Sequence, residues 1–83
     1  MDIRQLEALV GIADHGSFSQ AAAALDTVQS NISHRVSRLE SELATELIDR
    51  SSGALTESGQ LVVARGRRVL SEVAAIASDV SAL

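Results

Sequence analysis

The sequence predicts a small all-α domain: a helix-turn-helix with a minimal β wing and a long C-terminal linker or dimerisation helix. Three observations carry this expectation. Residues 17–39 split into two helical patterns joined by a tight polar turn. The second pattern, over about residues 28–43, has one apolar stripe and an opposite face of Ser, Asn, Gln, His and Arg. Near the end, Val62, Val69, Ile76 and Leu83 recur every seven residues, with Gly66, Val73 and Val80 between them.

The first helix begins at Asp2, which has capping-box spacing to Gln5. Ile3, Leu6, Leu9, Val10 and Ala13 form its apolar stripe, and it ends near Asp14-His15-Gly16. Arg4 falls on its exposed side, and His15 suits the negative end of the helix dipole. Ser17 and Gln20 repeat the capping-box spacing at the start of the second helix, where Phe18, Ala21, Ala22 and Leu25 share a face. Its alanine run, Ala21 to Ala24, favours helix and allows close helix crossing. Phe18 is the single aromatic residue and is expected to anchor the core.

Asp26-Thr27 forms the turn, and either residue can cap the third helix. Val28, Ile32, Val36, Leu39 and Leu43 supply its buried stripe. The opposite face holds Ser30, Ser33, His34, Ser37 and Arg38, with Asn31 on the flank and Gln29 at the boundary in the first turn. These residue types read base edges and phosphates. A merely solvated face more often carries Glu and Lys, yet residues 27–39 hold no acid at all. Each residue also has a plainer role: Gln29 as a helix-start cap, the serines as solvated hydroxyls, and Arg38 as an i+4 partner of Glu42. Arg35, beside the stripe, suits edge packing or an ion pair.

Gly53 lies between the short apolar pieces Leu47-Ile48 and Ala54-Leu55, which suits a very short β-hairpin or, equally, an irregular loop. Thr56 caps the last helix. Val63, Leu70 and Ala77 widen its heptad seam, so it must pack on its own domain, on a second copy, or on both. Arg65, Arg67 and Arg68 read as its solvated face. Residues 1–57 are thus expected to be the binding domain and 58–83 a dimerisation helix presenting Val62, Val69, Val73, Ile76, Val80 and Leu83.

Composition narrows the classes. The chain has 83 residues and a net charge of −4, whereas most DNA-binding domains are basic. The charges are segregated, however: Arg35 and Arg38 stand in the acid-free stretch, while residues 40–57 carry five acids against Arg50. Cysteine and proline are absent. No signal-like or membrane-length apolar segment is present, so a cytoplasmic protein without a membrane partner is expected. No nucleophile–base pair, metal cluster or phosphate loop points to an enzyme, a metal or a cofactor. The competing class is a helical protein-interaction or dimerisation module that does not bind DNA; the negative charge favours it and the acid-free polar face opposes it.

Taken together, Gly16-Ser17-Phe18, Ala21-Ala22, Leu25, Gln29, Ser33, Arg38-Leu39-Glu40, Leu47, Arg50, Leu55-Thr56 and Gly59 stand at the spacings of one family. The chain resembles the DNA-binding domain of LysR-type transcriptional regulators across essentially its whole length. The resemblance implies a bacterial regulator with a winged helix-turn-helix, pairing of the long linker helix in a homodimer, and binding to an interrupted palindromic site in double-stranded promoter DNA. It implies that Gln29 and Ser30 contact bases, that Ser33 and His34 contact bases or backbone, and that Arg50, Ser51 and Ser52 approach phosphate or the minor groove from the wing. The family usually has Arg at position 34, Pro at 30 and Phe at 48, with a longer and more basic wing. Its effector-binding domain would begin about where this chain ends.

Overall fold

The computed structural model describes residues 1–83 as four helices: α1 (Ile3–His15), α2 (Phe18–Ala24), α3 (Gln29–Leu43) and α4 (Glu57–Ser81). The wing between α3 and α4 contains a single antiparallel bridge, Ile48 to Leu55. Asp49 N–H donates to the Ala54 carbonyl at 2.8 Å, and Gly53 N–H to the Asp49 carbonyl at 2.7 Å, so the turn is closed although no sheet forms. Gly53 takes φ +76°, a left-handed conformation that glycine adopts without steric cost.

α1 is the central wall and touches each of the other helices. Its capping box forms in full, with Gln5 N–H donating to Asp2 and Asp2 N–H donating back to the Gln5 side chain. Leu6, Leu9, Val10 and Ile12 bury their side chains against Ala21 and Ala22 of α2 and Ile32, Val36 and Leu39 of α3. Leu47 and Ile48 close the core from the wing.

Several expectations change. At the start of α2 only half a capping box forms, from Gln20 N–H to the Ser17 hydroxyl. Neither Asp26 nor Thr27 caps α3. The N-cap is Val28, which has no side-chain acceptor to offer, and Asp26 is in the left-handed region at φ +56°. Val28 therefore leaves the predicted buried stripe and is exposed, because a residue in extended conformation before the helix does not follow the helical period. Phe18 is only half-buried and packs at the edge of the core rather than anchoring it.

Thr56 caps α4 as expected: its hydroxyl accepts from Gly59 N–H at 3.0 Å and donates to the Glu46 carbonyl at 2.7 Å. The first half of α4 packs on its own domain, with Val63 and Gly66 buried and Val62 and Leu70 partly covered. Beyond Leu70 the helix projects from the body, which makes the molecule 48 Å long and 24 by 18 Å across. Arg67 is exposed with Arg65 and Arg68, as expected of a solvated face, but it is paired. Its guanidinium donates to Asp14 at the end of α1 at 2.6 Å, and this contact holds the Asp14 carboxyl below its ordinary range and raises Arg67.

Candidate nucleic-acid interface

α3 lies across α1 and α2 because Ile32, Val36 and Leu39 are fully buried at i, i+4 and i+7. That burial turns the opposite face outward. Ser30, Ser33, His34, Ser37 and Arg38 are all exposed along it, and Gln29 is exposed at its first turn. His34, Ser37, Arg38 and Ser41 line one shallow groove on this face. No acidic side chain interrupts it. The predicted pairing of Arg38 with Glu42 does not form; Glu42 instead receives the Met1 amino group at 2.6 Å. Arg38 therefore makes no ion pair within the chain.

Two predicted contacts are engaged inside the domain. Asn31 donates its side-chain N–H to the Thr27 hydroxyl at 2.9 Å, which ties the first turn of α3 to the preceding turn. Arg50 does not project freely from the wing. One guanidinium nitrogen donates to Glu40 of α3 at 2.8 Å, and the group stands 5.5 Å from the centre of the Phe18 ring. Arg35 lies half-buried in a polar recess with Arg4, Glu7, Asp26 and Thr27 and makes no ion pair.

The wing serines also have partners. Ser51 donates both its backbone N–H and its hydroxyl to the Asp49 carboxylate, at 2.9 and 2.6 Å. The hydroxyl bond, then the backbone bonds, hold the Asp49 carboxyl below its ordinary value. Ser52 accepts from Ala54 N–H at 3.2 Å. The wing tip is thus a self-bonded turn with a carboxylate in it, and its hydroxyls are partly spent on local geometry.

Glu40, which closes the Arg38-Leu39-Glu40 motif of the sequence, has a role that sequence reasoning missed. One carboxylate oxygen accepts from Leu47 N–H at 2.7 Å and from Ile48 N–H at 3.3 Å, while the other takes Arg50. A signal existed. Glu40 stands beside the apolar stripe in the last turns of a helix, where the dipole disfavours an acid unless donors are supplied.

The helix-turn-helix family described as "Bacterial regulatory helix-turn-helix protein, lysR family" matches residues 3–60. The chain belongs to the LysR family. Among its LysR-family relatives, the HTH-type transcriptional regulator CzcR of Bacillus anthracis is 40% identical over 83 residues, covering 100% of this chain and 27% of that protein. The chain thus spans about a quarter of the length of such relatives. Its fold is similar to the CbnR DNA-binding domain solved in a complex with DNA, with a TM-score of 0.84 and 32% identity over 98% of this chain and 94% of that one. It is also similar to Vibrio fischeri DarR in complex with DNA, with a TM-score of 0.88 and 32% identity over 98% of this chain and 28% of that one. The predicted winged helix-turn-helix with a C-terminal helix is the LysR fold found here. No helix is long and apolar enough to cross a membrane.

Proposed function

We propose that this chain binds double-stranded promoter DNA sequence-specifically, as the DNA-binding domain of a bacterial LysR-type transcriptional regulator in the cytoplasm. It acts by binding and not by catalysis. The observation that carries the reading is the face of α3: an exposed, acid-free row of hydrogen-bonding side chains, held outward by a buried stripe, in a fold shared with DNA-bound LysR-family structures. A helix of this diameter fits the major groove.

In this reading Gln29, Ser30 and Ser33 contact base edges, and His34, Ser37 and Arg38 contact bases or phosphates. Asn31 supports the first turn, and Ser51 and Ser52 meet the backbone through the wing. Residues 1–57 do the reading. Residues 58–83 join two copies through Val69, Val73, Ile76, Val80 and Leu83, with Val62 shared between the seam and its own core. The exposed apolar run of α4 supports this, since side chains such as Ile76 and Val80 are about two-thirds uncovered in the single chain.

The test is selection of bound duplexes from a randomised library, followed by shift assays of the selected duplex and a scrambled one at two salt concentrations. The expected result is a clear preference for the selected duplex, with both affinities falling as salt rises. Gln29→Ala should cost roughly 1–3 kcal/mol on the selected duplex and little on the scrambled one. Failure to enrich any sequence would favour an interaction module without DNA binding.

A further inference from the structure

We infer that Glu40 and Arg50 are positioning residues that set the wing against the recognition helix, and that Arg50 serves DNA binding through this strut and not by touching phosphate. The inference rests on the DNA-binding reading above and deepens it.

The strut joins three elements. Glu40 leaves α3 two residues after Arg38 of the reading face. Its carboxylate accepts the Leu47 and Ile48 N–H groups, which open the wing, and the Arg50 guanidinium, which follows them. That guanidinium also reaches the Ile48 carbonyl at 3.4 Å and covers the Phe18 ring of α2. The Glu40 side chain is only 14% exposed, so its charge is held by donors of the domain itself. Leu47 and Ile48 are fully buried between these bonds and the core. The wing has one bridge and no sheet to stiffen it. The carboxylate is therefore the main polar tie between the reading helix and the wing tip that carries Ser51 and Ser52.

A planar fork on a carboxylate with an aromatic ring beneath it is a geometry that arginine supplies and lysine does not. An arginine kept for phosphate would be left free, as Arg38 is. The two roles give opposite predictions for the acid. By charge alone, Glu40→Gln removes a negative group near DNA and tightens binding. As a strut, it loses the Arg50 bond, frees the wing and weakens binding.

The experiment compares wild type with Glu40→Gln, Arg50→Gln, Arg50→Lys and the Glu40→Gln/Arg50→Gln double variant. It uses the duplex selected by the wild type, across a range of salt. Amide hydrogen exchange of the free proteins is measured alongside. The strut predicts that each single variant binds roughly tenfold more weakly, the scale of one charge-assisted hydrogen bond. The double variant, with wild-type net charge, stays as weak as the singles. The slope of log affinity against log salt is unchanged in Arg50→Gln, and exchange quickens at residues 47–52 while α1 is unaffected. Tighter binding by Glu40→Gln would overturn the inference, as would a salt slope reduced by about one in Arg50→Gln with Arg50→Lys near wild type. Should Glu40→Gln fail to fold, the Arg50 pair still separates the two roles. If the wild type selects no duplex, the DNA-binding reading has failed; the strut itself then stands or falls on wing exchange.

Discussion

Gly59 is the position where a single methyl group should do most harm. It lies in the first turn of α4, and a Cβ built there would stand 2.0 Å from the Leu47 carbonyl oxygen and 3.0 Å from the carbonyl carbon. Ordinary contact would require a shift of more than an ångström, and neither side can yield cheaply. The Leu47 carbonyl accepts from Thr56 N–H at 3.0 Å, its N–H donates to Glu40 at 2.7 Å, and its side chain is fully buried. Forced overpacking costs typically about 1–3 kcal/mol, and losing the Thr56 bond adds about 1 kcal/mol. The better helix propensity of alanine returns at most about 1 kcal/mol. Gly59→Ala should therefore destabilise by about 1–4 kcal/mol, lowering the thermal midpoint of a domain this size by roughly 5–30 °C.

The assay is thermal unfolding by far-UV circular dichroism at one protein concentration, since any association would raise the midpoint. Two other glycines calibrate it. A Cβ at Gly66 would meet the Val10 side chain at 3.4 Å, an ordinary contact, so Gly66→Ala should leave the midpoint unchanged or raise it. A Cβ at Gly53 would meet nothing, but φ is +76°, so Gly53→Ala should cost about 1 kcal/mol. If Gly59→Ala melts with the wild type, α4 does not approach the wing as closely as the structure has it, and the reasoning fails.

Ala44 ends α3 at φ +55°, so Ala44→Gly should stabilise by roughly 0.5–1 kcal/mol, read as a raised denaturant midpoint. Phe18→Ala should cost about 2 kcal/mol, less than a core aromatic, because the ring is only half-buried and its lost contacts include the Arg50 stack; urea unfolding measures it. Ile76→Asp should leave the helix content of the chain intact, because Ile76 is exposed in the single copy, while sedimentation shifts from dimer to monomer; an unchanged dimer would place the interface elsewhere. The Asp49 carboxyl is held below its ordinary value of 3.8 by Ser51. Its charged form is thus favoured in the fold, and its contribution is complete above that value and lost as pH falls through the lowered one. Wing-tip amides should therefore become less protected under acid, and Asp49→Asn should show the loosened turn already at neutral pH.

Local signals were legible where the physics is local. The Asp2 and Thr56 caps and the Ile32/Val36/Leu39 stripe follow from spacings of a few residues, and each stands where the spacing put it; the segment around Gly53, which suited a hairpin and an irregular loop alike, is a turn closed by one bridge. What the sequence hid depends on tertiary approach. Arg67 and Asp14 are 53 positions apart and meet only because α4 crosses the end of α1. Arg50 and Glu40 are 10 apart but on different elements, so the resemblance offered Arg50 as a phosphate or minor-groove contact, and Glu40 stood only in the acid count of residues 40–57 and in the Arg38-Leu39-Glu40 motif. Val28 kept the period of the stripe and lost its burial because the helix starts one residue later.

The same pairings resolve the conflict between a net charge of −4 and a DNA-reading face. Glu40, Glu42 and Asp14 are each engaged by a cation of the chain, and Asp49 by the donors of its own turn. None of them lines the groove of His34, Ser37, Arg38 and Ser41, where Arg38 stands unpaired, and Glu42, one turn beyond Arg38, has its charge met by the Met1 amino group. Charges farther apart than a Debye length of about 8 Å are largely screened at physiological salt, so the near field at the groove is that of the face and the remote acids contribute little. Non-specific binding depends on phosphate neutralisation, and with Arg50 and Arg67 engaged inside the chain the reading face offers few free cations, so non-specific binding is limited more than base reading is. An acidic domain with a locally acid-free helix should therefore have low affinity for random duplex and a high ratio of selected to random affinity, and the shift assay at two salt concentrations reads that ratio directly.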